Sequence, residues 1–141
     1  MRYQSLKAGC GPTALANGLE LLGIKRNEIE LSTVAGTTPK GTDASGIVGA
    51  AKAAGRFPST INTKDSDFAL YALHYYLCNG RPVIICVDKW DHWVVAAGIL
   101  GERILVIDSA NNELVLVYPP EKLTERWEKP GKGGGYYGIV L

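Results

Sequence analysis

"RPVIICVDKWDHWVVAAGILGERILVIDS", residues 81–109, decides how this chain is read. Its apolar runs are short, rich in Val and Ile, and interrupted by "DKWD" and "GE", which is the pattern of strands joined by turns. With "LVLVYP" (114–119) following, the stretch predicts an antiparallel meander, and "YYGIVL" (136–141) predicts a last strand. A short helix is expected between them, from about Glu121 to Trp127.

Upstream of Gly80 the period changes. Pro12 suits the first turn of a helix, where its missing N–H is not needed. Leu15, Leu19 and Leu22 then recur at helical spacing, so a helix is expected from about Gly11 to Leu22 with Gly23 as its stop. A second short helix is expected over Asn27–Val34. "TTPKGTDASGIVGAAKAAGR" (37–56) reads as a loop, a cap at Thr42 or Asp43, an alanine-rich helix, and a stop at Gly55. Asp65 and Ser66 cap another helix, about Asp67 to Cys78. Helices first and strands second is the α+β signature, and residues 1–141 are expected to form a single domain.

Composition narrows the function. The 141 residues carry 15 Lys+Arg against 14 Asp+Glu, which leaves no basic footprint for nucleic acid. The longest apolar run, "WVVAAGIL", is too short to span a bilayer, and "MRYQSLKAGC" has no signal-peptide core. Three cysteines without a CxxC pair argue against a disulfide framework and for a reducing, cytoplasmic setting. No cofactor motif is present, since "GKGGG" lacks the phosphate-loop spacing and reads as a turn before the last strand. No metal site is expected either, because Cys10, Cys78, Cys86 and the histidines have no ligand spacing.

Chemistry concentrates at four positions. Cys10 opens the first helix, where unpaired N–H groups and the helix dipole favour a thiolate. Read alone, it is equally a small buried residue. A thiolate catalyst needs a base, and the chain offers two histidines. His74 lies mid-helix and reads as structural. His92 opens an apolar strand at the rim of the sheet. Asp108 ends the next strand after a largely apolar run and requires a partner. A three-residue hairpin loop, Ile99 to Gly101, would oppose residues whose numbers add to 200 and so pair His92 with Asp108 on one face. A two-residue loop at Gly101–Glu102 would make the numbers add to 203 and put them on opposite faces. The apolar pattern leaves both open. Gln4, six residues before the cysteine, would by itself be a solvated loop residue. Cys78 and Cys86 are expected to be buried, Trp93 to point into the core away from His92, and Trp90 and Asp91 to rim a cleft or form a plain turn.

Gln4, "GCGPTA" around Cys10, "DHW" at His92 and "VIDS" at Asp108 together resemble the peptidase C39 family of papain-like cysteine peptidases. "GTDASGIVGAAKAAGR" is similar to that family's central helix. The resemblance implies a papain-like fold, with helices packed on an antiparallel sheet. It also implies Cys10 as nucleophile, His92 as base and acid, Asp108 as its orienting carboxylate and Gln4 as oxyanion donor. The implied substrate is a peptide or protein, cleaved through a thioester. Ser109 departs from the proline common in the family after the aspartate. Members that process bacteriocin leaders are usually fused to a membrane-spanning exporter, and none accompanies these residues, so a stand-alone peptidase is expected. A catalytically silent peptide-binding domain and an acyl or peptidyl transferase are the alternatives.

Overall fold

The computed structural model describes residues 1–5, 8–111, 113–131 and 133–141; Lys132 of the "GKGGG" turn lies outside them. Among the described residues the chain forms α1 (Cys10–Leu21), α2 (Glu28–Ala35), α3 (Ala44–Ala53), β1 (Ser59–Thr63), α4 (Ser66–Cys78), β2 (Val83–Val87), β3 (His92–Leu100), β4 (Arg103–Ile107), β5 (Val115–Tyr118), α5 (Pro120–Trp127) and β6 (Tyr136–Val140). The six strands form one antiparallel sheet in the order β1-β6-β2-β3-β4-β5. The expected meander is β2 to β5, and the chain's last strand inserts between β1 and β2.

Both faces of the sheet are apolar because each is covered. In β2, Ile84 and Cys86 pack with α1, α2 and α3, while Val83, Ile85 and Val87 pack with α4 and α5. This two-sided burial explains why β2 reads as an unbroken apolar run. Helix α1 is buried along most of its length, with Leu15 and Leu19 at 0% exposure. Each such side chain contributes roughly 1.5–3 kcal/mol of transfer free energy. On the other face, Leu123 and Trp127 of α5 are equally buried, and Trp127 Nε1 donates to the Tyr137 carbonyl at 2.8 Å. Helix α3 comes close enough to α2 that a Cβ on Gly46 would stand 2.0 Å from the Ala35 carbonyl oxygen.

The structure adds a strand, corrects one expectation and decides the loop that the sequence leaves open. Strand β1 was not anticipated: only Ile61 of "STINT" is buried, and its partner β6 lies at the far end of the chain, so no hairpin signal marks it. Cys78 is exposed, not buried. The inward stripe of α4 is Ala69, Leu73 and Leu77, and Cys78 falls on the outer face with Tyr71, His74 and Tyr75. The β3–β4 hairpin takes the two-residue loop, with Leu100 opposite Arg103 and Gly101 at φ 64° in the first central position. Glycine is the residue that adopts this conformation without strain.

That loop did not separate His92 from Asp108, because β3 contains a bulge. From Leu100↔Arg103 to Gly98↔Leu105 the paired numbers add to 203, but beyond Ala97 they add to 202, as in Val95↔Ile107. One extra residue in β3 reverses the alternation of everything beyond it. Continuing the reset register sets Asp108 opposite Val94, two residues from His92 and on the same face as it. The bulge restores the parity that the loop removes.

Candidate active site

Cys10 is the first residue of α1, and its N-cap, Gly9, supplies no side-chain cap. No side-chain cap competes for the helix N-terminus, and the Gly11 and Trp93 N–H groups favour the thiolate. Burial alone would raise the Cys10 pKa. It is outweighed by the hydrogen bond to His92, by the two backbone groups and by the His92 charge, so the thiol ionises below its ordinary value.

His92 is held between two partners. Nε2 lies 2.6 Å from Asp108 Oδ1, which leaves Nδ1 as the ring nitrogen for Cys10. Burial again acts against the charged form, but the bonds to Asp108 and Cys10 prevail and raise the imidazole pKa to about 9. The lowered thiol and raised imidazole both shift the pair towards its thiolate–imidazolium form.

Asp108 is 2% exposed, and its carboxylate is fully engaged. Oδ1 also accepts from Ala110 N–H at 3.1 Å, and Oδ2 accepts from Arg126 Nη2 at 2.8 Å. Burial would raise its pKa, yet the bonds from His92, Arg126 and Ala110 hold it well below the usual carboxylate range. Gln4 reaches the same place. Its backbone N–H donates to the Ser109 carbonyl at 3.2 Å, and its side-chain carbonyl accepts from Ser109 Oγ at 3.1 Å. Ser109, the departure from the family's proline, thus anchors Gln4 beside Asp108.

Sequence reasoning missed Arg126. From α5 its guanidinium binds Asp108 on one side and Asp88 on the other, with Nε–Oδ1 and Nη2–Oδ2 both 2.8 Å, and Nη1 donates to Tyr118 Oη at 3.0 Å. Asp88 begins a turn in which three successive non-glycine residues, Asp88, Lys89 and Trp90, take φ of 55°, 62° and 64°. Each such conformation costs on the order of 1–2 kcal/mol. Arg126 therefore clamps both the strained turn that delivers His92 and the carboxylate that orients it. The available signal was the partner demanded by a buried carboxylate; nothing in the sequence pointed to this helix as the source.

Other expectations resolve as follows. His74 is exposed on α4, outside this cluster. Trp93 is buried on the α1 side of β3, with Nε1 donating to the Thr42 carbonyl at 3.0 Å. Asp43 is the N-cap residue of α3 but makes no side-chain capping bond, and Thr42 Oγ1 is paired with Thr37 Oγ1 at 2.7 Å. Cys86 is buried beside Cys10, and burial together with the Cys10 charge pushes its pKa up to about 12. Among the described residues, no group of three or more His, Cys, Asp or Glu is arranged to hold a metal ion. No helix of the described residues is long and apolar enough to cross a membrane.

Comparison with known proteins agrees with this architecture. The chain belongs to the Peptidase_C39 like family, whose model matches residues 1–134. Its fold is that of C39 peptidase domains. The peptidase domain of Streptococcus ComA, a bifunctional ABC transporter of a quorum-sensing pathway, superposes with a TM-score of 0.78 at 24% identity, covering 99% of this chain and 96% of that one. A double-glycine-motif protease from an AMS/PCAT transporter, solved with its leader peptide, gives 0.73 at 18% identity over 97% of this chain and 86% of its own. A putative C39-like peptidase from Bacillus anthracis gives 0.74 at 16% identity, covering 100% and 94%. No curated protein matches the chain.

Proposed function

We propose that the protein is a cysteine peptidase that hydrolyses a peptide bond through a thioester on Cys10. The observation that carries this reading is the imidazole of His92, bonded to Asp108 at 2.6 Å through Nε2 and near enough to Cys10 that each favours the other's charged form. The thiolate attacks the scissile carbonyl carbon, and the imidazolium gives its proton to the departing amine. His92 then takes a proton from water as water attacks the thioester, and Cys10 is regenerated. The side-chain amide of Gln4 and the Cys10 backbone N–H hold the oxyanion. Asp108 keeps the ring in the productive orientation and stabilises its charged form.

The substrate is a peptide or protein, a reading supported by the leader peptide bound to the similarly folded double-glycine protease. Residues 1–141 act as one domain in a reducing, cytoplasmic compartment, where three unpaired cysteines and a thiolate nucleophile stay reduced. The test is incubation of wild type and Cys10→Ala with a proteome-derived peptide library, reading new termini by mass spectrometry. New termini from the wild type alone are expected. Their absence, or equal numbers from Cys10→Ala, would overturn the reading.

A further inference from the structure

Residues 2–5 lie in no helix or strand, yet Arg2, Gln4 and Ser5 are each held at two points. Arg2 gives its backbone N–H to Asn17 Oδ1 at 2.9 Å, and its carbonyl accepts from Asn17 Nδ2 at 3.1 Å. Gln4 is bonded to Ser109 through both its backbone N–H and its side-chain carbonyl. Ser5 gives its hydroxyl, at 2.9 Å, and its backbone N–H, at 3.4 Å, to Glu28 Oε2. Asn17 is 0% exposed and Glu28 5%, so packing fixes the partners in turn.

Glu28 is the member that helix α2 does not account for. It is the first residue of α2, and the cap of that helix is already supplied by Asn27, whose side chain accepts from Ile29 N–H at 2.7 Å. A carboxylate buried this deeply demands donors, and Oε2 finds them on the residue that follows Gln4. Asn17 holds Arg2 from α1, the helix that also carries Cys10, so the nucleophile and the segment share one frame. Fixing backbone that has no secondary structure is opposed by its conformational entropy, and these paired bonds offset that cost. The Gln4 amide has an acceptor end and a donor end. Ser109 Oγ donates to the acceptor, Oε1, which fixes Nε2 as the end presented to an oxyanion.

We propose that Glu28 is a positioning residue for the reaction: through Ser5, and jointly with Ser109, it sets the Gln4 amide where Nε2 meets the oxyanion. The proposal rests on the peptidase reading above, in which Gln4 is the oxyanion donor. A donor misplaced by about 1 Å costs on the order of a hundredfold in rate, so a residue that touches no substrate governs the chemistry.

Two reactions of Cys10 separate positioning of the oxyanion donor from activation of the thiol. With p-nitrophenyl acetate the thiolate attacks the carbonyl carbon, charge gathers on its oxygen, and p-nitrophenolate leaves as the S–C bond is kept. With iodoacetamide the thiolate displaces iodide from a saturated carbon and no oxyanion forms. Acylation is read as the p-nitrophenolate burst after subtracting that of Cys10→Ala, and alkylation by peptide mapping of Cys10. Gln4→Ala is expected to slow acylation on the order of a hundredfold and to leave alkylation within about twofold. Glu28→Leu is expected to slow acylation at least about tenfold with alkylation equally spared, while Glu28→Gln, which keeps an oxygen for Ser5, stays within about threefold of wild type. Ser5→Ala, on an exposed residue, deletes the shorter bond to Glu28 and should show the same selective loss, at least about threefold. In the Gln4→Ala background Glu28→Leu should add nothing, because the group it positions is gone. Wild-type acylation in Glu28→Leu or in Ser5→Ala, alkylation lost in step with acylation, or a loss carried undiminished into the Gln4→Ala background would overturn the proposal alone. A Cys10-dependent burst as fast in Gln4→Ala as in wild type would overturn the oxyanion role of Gln4, and the proposal with it. No Cys10-dependent burst in the wild type would overturn the peptidase reading itself.

Discussion

Replacing Arg126 with Met keeps the bulk of the side chain and deletes its charge. The effect is dominated by Asp108, which is 2% exposed and loses the donor on Oδ2. Stripping one partner from a buried ion pair costs roughly 3–5 kcal/mol, and the low end applies because His92 and Ala110 still hold Oδ1. Asp88 is 47% exposed, so its share is screened and adds less than about 1 kcal/mol. A loss of about 3 kcal/mol at pH 7 follows, equivalent to roughly 10 °C in Tm for a chain of this length. The sign with pH is fixed by Asp108. Its folded pKa is depressed, so its stabilisation is present above the unfolded value near 4 and is lost as pH falls through the folded one. Without Arg126 the carboxyl protonates at higher pH, so the gap between wild type and Arg126→Met narrows at pH 3. Urea denaturation of both proteins at pH 7 and pH 3 measures it. A loss below about 1 kcal/mol at pH 7, or a gap that does not shrink in acid, would refute the clamp.

Further outcomes follow from the same geometry. Asp108→Asn removes the charge that stabilises the imidazolium and returns its proton to the thiolate. The midpoint of Cys10 alkylation should therefore move alkaline by more than about one pH unit, read by iodoacetamide rates across pH. Peptide hydrolysis by the wild type should fall above about pH 9, where His92 loses the proton owed to the leaving amine, and a flat kcat/KM profile through pH 10 would contradict that assignment. Gly46→Ala forces a Cβ to within 2.0 Å of the Ala35 carbonyl unless α2 and α3 separate. A loss of about 1–3 kcal/mol is expected in urea titration.

How much was legible in the sequence depended on whether the signal was local. The burial of α1, the meander from β2 to β5 and the amphipathic α5 follow from period and turn residues within each segment. Cys10 was marked by its helix start, and His92 and Asp108 by polar residues at the ends of apolar strands. The bulge at Ala97 was not legible, because "VVAAGIL" is apolar on both faces and any register satisfies it. For that reason the loop alone pointed to the wrong parity. Strand β1 exists through pairing with a strand at the other end of the chain. Arg126 was hidden in an ordinary helix, since its two carboxylate partners meet only once β2, β4 and α5 have packed.

The central claim is a thiolate on Cys10 sustained by His92. Alkylation with iodoacetamide across pH, followed by peptide mapping to separate Cys10 from the exposed Cys78, tests it on wild type and His92→Ala. The account predicts rapid labelling of Cys10 at pH 6 in the wild type, slowed at least about tenfold by His92→Ala, while labelling of Cys78 is unchanged by the substitution. Labelling of Cys10 no faster than Cys78 at pH 6, and unchanged by His92→Ala, would contradict it.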